Sequence, residues 1–103
     1  SKYINLETAG GKSLSKTACA LLLPLTLLSN KDNEIDRKAF VGVVNWIKDY
    51  RTWNKYWAEL VEKGVLIQVD KDIWMVSPHE CYSDGISHNE LINKWNEVRN
   101  ATN

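Results

Sequence analysis

An excess of positive charge is missing from this chain: 13 lysines and arginines are matched by 13 aspartates and glutamates over 103 residues. A whole-molecule attraction to nucleic acid is therefore absent, and any such activity has to come from local clustering. Long apolar runs are missing too. The stretch from Ala18 to Leu28 is too short to span a bilayer and is interrupted by Pro24 and Thr26, so it reads as a core helix kinked at the proline, with no membrane partner. Cysteine is sparse. Cys19 falls in that apolar stretch, where a buried thiol acts as a small hydrophobe, and Cys81 lies in a distant polar segment. Reduced thiols and a cytoplasmic location are expected. Cys-x-x-Cys, a glycine-rich phosphate loop, a nucleophile elbow and His-Glu-x-x-His are all absent, which leaves no catalytic constellation and implies no enzyme and no cofactor. His79, Cys81 and His88 are zinc-ligating types, but their spacing matches no closed four-ligand pattern, so no metal is expected either. Repeats and low-complexity segments are lacking, and the length suits one small domain. The chain opens Ser1-Lys2 without a methionine, as a trimmed chain or an excised domain would.

What is present concentrates between Arg51 and Pro78. Trp53, Trp57, Leu60 and Val61 recur at helical spacing, then Val65, Ile67 and Val69 alternate at strand spacing. A second alternation runs through Ile73 and Met75 after the turn Asp70-Lys71-Asp72. The period switches at Gly64, which enters the left-handed helix-stop conformation without a steric penalty. Upstream, Tyr3, Ile4 and Leu6 suggest a short strand ended by a turn at Gly10-Gly11. A first helix capped by Ser13 or Ser15 should run to about Leu28, and Ser29 to Asn33 reads as a polar turn. Asp36 caps a second helix carrying Phe40, Val43, Val44 and Ile47 on one stripe, which gives way near Lys48 to Tyr50 without a punctuating glycine or proline. Three helices followed by a hairpin are the order of a winged helix. After Pro78 comes a loop with Ser83, Asp84 and Gly85. A last helix then begins with a capping box of Ser87 and Glu90.

The chemistry follows from the face of the third helix left over once its core residues are assigned. With Trp53, Trp57 and Leu60 inward, Arg51, Thr52, Asn54, Lys55 and Ala58 point outward. In a helix-turn-helix the N-terminal part of this helix enters the major groove, where Arg pairs with guanine and Asn with adenine. The acids Glu59 and Glu62 lie in the half that leans away from the duplex. The same pattern also describes a solvated face on a structural helix. Lys71 stands at the hairpin tip between Asp70 and Asp72, which favour a tight turn and repel phosphate. Lys38, or equally Arg37, sits where the second helix starts and can meet a phosphate. Burial accounts for most of the five tryptophans; Trp46 alone has no obvious core position.

The stretch AELVEKGVLIQVDKDIWMVSPHECYSDG resembles the winged-helix segment of plasmid replication initiators of the RepL type. Glu59, Leu60, Lys63 and Gly64 match the Glu-Leu-x-x-Lys-Gly close of that family's recognition helix. Trp74, Met75, Val76, Ser77 and Pro78 match its Tyr-Met-x-Asn-Pro-like element. The resemblance covers about the middle half of the chain and implies DNA contacts at Arg51, Thr52, Asn54 and Lys55. Trp53, Tyr56 and Trp57 replace the family's usual small residues there.

The expected fold class is therefore mainly α with a small β-hairpin wing: a winged helix-turn-helix over residues 1–86, plus a C-terminal amphipathic helix over 87–103. That last helix carries Leu91, Ile92, Trp95 and Val98 on one face, to be buried against the first helix or in a twofold homodimer with Trp95 at its centre. The expected partner is double-stranded DNA in plasmid or phage replication initiation or transcription regulation. The alternative partner is a protein, with the domain serving as an antirepressor or assembly factor.

Overall fold

The computed structural model describes residues 2–83 and 86–102. It is helix-rich, and its strands form two small antiparallel sheets where a short N-terminal strand and one hairpin were expected. Strand β1 (Lys2–Ile4) leads into helix α1 (Leu6–Gly11), so Gly10 and Gly11 end a helix rather than form a turn after a strand. Asn5 caps α1, its side chain accepting from the Thr8 N–H at 3.1 Å.

The single helix expected up to Leu28 is two: α2 (Lys16–Ala20), capped by Ser15, and α3 (Leu22–Leu28). The break falls at Leu21. Pro24 thus lies in the first turn of α3, where its missing N–H has no helical acceptor to lose. Cys19 is exposed on α2, which corrects the expectation of a buried thiol; Cys81 is the buried one.

Strand β2 (Glu34–Asp36) precedes α4 (Arg37–Val43), and Asp36 caps that helix as expected, accepting from the Lys38 N–H at 2.9 Å. Helix α4 ends at Val43, which is 62% exposed and leaves the expected stripe, while Phe40, Val44 and Ile47 are buried. Helix α5 (Tyr50–Glu62) is capped by Asp49. It ends as the sequence indicates: Gly64 sits at φ 77°, its N–H bonds to the Val61 carbonyl and the Val65 N–H to that of Leu60, the paired closure of a Schellman stop.

Strands β3 (Leu66–Gln68) and β4 (Ile73–Val76) then form the hairpin, with Ile67 opposite Met75. β2 joins the outer side of β4, giving the order β2-β4-β3. Strand β5 (Cys81–Ser83) returns to pair with β1, Tyr3 opposite Tyr82. Asp84 and Gly85 of the expected loop, and the Ser87 side chain of the expected capping box, lie outside the described residues.

The main core joins Ala18, Leu21 and Leu25 to Phe40, Trp53, Trp57 and Leu60. A second cluster carries the last helix, α6 (Ile86–Thr102): Leu91 and Trp95 are buried with Met75, and Ile67 packs against them. Lys94 Nζ adds a 3.1 Å ion pair to Glu34. The helix therefore seats on the hairpin sheet of its own chain, not on the first helix. Trp95, at 3% exposure, is already committed there and is no exposed anchor for a dimer, while Ile92 and Val98 stay partly open. Replacing a buried tryptophan by alanine removes its transfer energy and leaves a cavity, so Trp95→Ala is expected to lower the urea-unfolding free energy by about 3 to 5 kcal/mol. A loss below roughly 1 kcal/mol would contradict this seating of α6.

Candidate nucleic-acid interface

Helix α5 is divided lengthwise by its own spacing. Trp53, Trp57 and Leu60 are buried in the core, and Arg51, Lys55, Ala58 and Glu62 are exposed on the opposite face. The inward stripe fixes the helix about its axis. Phe40 meets Trp53 edge-on at 5.8 Å, Trp57 meets Trp74 edge-on at 5.5 Å, and the Trp53 Nε1–H donates to the Ile47 carbonyl at 3.1 Å.

Of the six side chains the sequence nominates, Arg51, Lys55 and Lys71 are exposed and take part in no ion pair among the described residues. The Lys55 ammonium lies 5.3 Å from the Tyr56 ring centroid, a contact that leaves it at the surface. Thr52 is half-buried.

Asn54 and Lys38 have structural ties that the sequence did not reveal. Arg37 Nη2 donates to Asn54 Oδ1 at 2.7 Å while its guanidinium covers the Trp57 ring at 5.1 Å. Arg37 thus links α4 to α5, and Asn54 keeps its amide N–H groups and one lone pair of Oδ1 for another partner. Lys38 Nζ stands 3.7 Å from Asp72, in the hairpin turn just before β4. At the tip, the Asp70 carboxylate accepts from the Lys71 N–H at 2.8 Å and Gln68 Nε2 donates to the Lys71 carbonyl at 3.0 Å. Both ties tighten the turn as expected and hold Asp70 beside any phosphate that approaches Lys71.

Asp49 caps α5 beside its basic half, accepting from the Arg51 N–H at 3.1 Å, and the first acid within the helix, Glu59, is turned elsewhere. Glu59 accepts from the Ser15 N–H and the Ser15 hydroxyl, both at 2.7 Å. Those hydrogen bonds hold its carboxyl below the usual carboxylate range, the backbone one contributing most. One residue therefore caps α2 and anchors α5. Sequence reasoning missed Lys48 and Tyr50, both exposed where the chain enters α5. The one signal for them was the unpunctuated boundary between the second and third helices. Trp46 is also exposed there.

The other candidate groups serve the fold. Cys81 accepts from the Thr26 hydroxyl at 2.9 Å, and burial pushes its thiol up to about 11 despite that hydrogen bond. Lys2 Nζ donates to the Ser29 carbonyl and hydroxyl and to the Asn30 carbonyl, closing the end of α3; burial lowers its pKa. Glu80, fully buried, is held by the Ser77 hydroxyl and by Lys12 at 3.0 Å. His79 is exposed and the His88 ring packs at a tilt against Tyr82. Among the described residues no three His, Cys, Asp or Glu side chains come together as a metal site, and no helix is long and apolar enough to cross a membrane.

No family model, curated protein or solved structure matches the chain. The thiols give a direct check on the packing. At pH 8, Cys19 is expected to react with a disulfide reagent in the native protein, and Cys81 only after unfolding, because the thiolate is the reactive form. Equal native rates for the two would contradict the burial of β5.

Proposed function

We propose that the chain is a winged helix-turn-helix domain that binds double-stranded DNA, with α5 in the major groove and the β3–β4 hairpin as the wing. The element order α3, β2, α4, α5, β3, β4 and the sheet order β2-β4-β3 support that fold reading. The observation that carries the function is the outer face of α5. Arg51 and Lys55 lie one turn apart, exposed and unpaired, on a helix whose opposite face is locked into the core. Arg suits the bidentate guanine edge and Lys suits phosphate. Lys48, just before α5, and Lys71, in the hairpin turn, are exposed as well. The resemblance to RepL-type initiators supports replication initiation on a plasmid or phage as the setting, with transcription regulation as the neighbouring possibility.

A second reading, a winged helix used for protein contact in an antirepressor or assembly factor, is favoured by one observation. Leu23, Leu27 and Leu28 of α3 and Val43 of α4 are all exposed, and clustered apolar side chains mark interaction surfaces. The two readings differ in their response to salt.

Arg51→Ala and Lys55→Ala are each expected to weaken duplex binding by about 1 to 3 kcal/mol with the circular dichroism unchanged. Contact with about four phosphates gives a slope near −3.6 for log affinity against log salt. Unchanged binding by the double variant would remove α5 from the interface, and flat salt dependence would favour protein contact.

A further inference from the structure

Where α4, the loop 44–49 and α5 meet lies a cleft of about 620 Å³, a volume in the range of small-molecule sites. Its floor is apolar: Val41, the buried Ile47, and the Trp53 indole fixed by its bond to the Ile47 carbonyl. Tyr50 lines one side with 74% of its surface exposed, and its ring makes no aromatic contact or hydrogen bond among the described residues. The rim is cationic. Arg37, Lys38 and Lys48 stand against one acid, Asp72, whose carboxylate is already faced by Lys38 at 3.7 Å.

An apolar floor, a free aromatic ring and a cationic rim suit a flat aromatic group attached to an anion. That is the chemistry of a nucleotide. A base inside an intact duplex has both faces covered by its neighbours and cannot enter, whereas an unpaired one can, at the cost of its stacking. The cleft also adjoins the proposed duplex face, since Tyr50 is followed in the chain by Arg51.

We propose that this cleft takes one unpaired nucleotide, its base stacked on Tyr50 over the Val41 and Ile47 floor and its phosphate on Lys48 and Arg37. The inference rests on reading α5 as a DNA-binding helix and extends that reading from paired to locally opened DNA. A free mononucleotide carries the same chemistry, and the test separates the two sources.

The full chain is titrated into three oligonucleotides at low salt: a fully paired duplex, the same duplex with one bulged 2-aminopurine, and a single strand containing 2-aminopurine. Deoxyadenosine monophosphate is the competitor. The bulged duplex should bind more tightly than the paired one, with quenching of the 2-aminopurine. Tyr50→Ala, at an exposed position, should remove about tenfold of the affinity for bulged DNA. It should lower paired-duplex affinity by much less than that and leave circular dichroism unchanged, and Lys48→Ala should weaken the bulged complex likewise. Competition by the mononucleotide, lost in Tyr50→Ala, would assign the cleft to free nucleotides as well as DNA. Equal binding of paired and bulged duplexes without quenching would overturn the cleft proposal and leave the duplex reading standing. Quenching without any paired-duplex binding would do the reverse.

Discussion

Trp57 is where the helices and the hairpin are fastened together. Its ring lies 6.0 Å from Phe40 of α4 and 5.5 Å from Trp74 of β4, with the Arg37 guanidinium over its face. Aromatic contacts of this kind add roughly 0.5 to 1.5 kcal/mol each to the burial of the rings, but their larger effect here is orientational. A helix with Trp53 and Trp57 inserted on one side cannot rotate without emptying the core. Arg51 and Lys55 consequently hold one direction relative to α4 and the hairpin, which is the preorganisation that a groove-entering helix requires.

The neutral net charge conceals a division of labour among the ionic groups. Glu34, Glu80 and Asp72 each face a lysine of the same chain. Glu59 is taken up by Ser15, and Asp36 and Asp49 accept from helix N–H groups. These acids each have a partner in the fold, Asp36 and Asp49 at the surface, while Lys48, Arg51, Lys55 and Lys71 form no salt bridge among the described residues. The electrostatic character of that surface is therefore set by where the acids find their partners, and not by the sum over the chain.

The parts of this architecture with local causes could be read from the sequence. α5, its stop at Gly64, the hairpin turn and the Asp36 cap each follow from spacing or from one residue's backbone preference. β2 escaped because Glu34, Ile35 and Asp36 carry no alternation long enough to register; they become a strand only because β4 offers them a ladder. The pairing of β1 with β5 escaped for the same reason. In the site, Arg51 and Lys55 follow from helical spacing, whereas the ties on Asn54 and Lys38 come from Arg37 and Asp72, residues distant in sequence. The Trp-Met-Val-Ser-Pro element that underlies the family resemblance has a structural role. Met75 seats α6, and Ser77 turns the chain by accepting the Glu80 and Cys81 N–H groups on its carbonyl.

One side of the molecule, formed by the outer face of α5 with the start of α4 and the hairpin, is proposed to meet DNA as a unit. Amide chemical shifts of the isotope-labelled chain, followed while a mixed-sequence duplex is added at low salt, test it most directly. The perturbed amides are expected to map to the segments around Arg37 and Lys38, Lys48 to Lys55, and Asp70 to Asp72, with α1 and the outer side of α3 unmoved. Perturbations confined to α3 and Val43, or none at any DNA concentration, would contradict it.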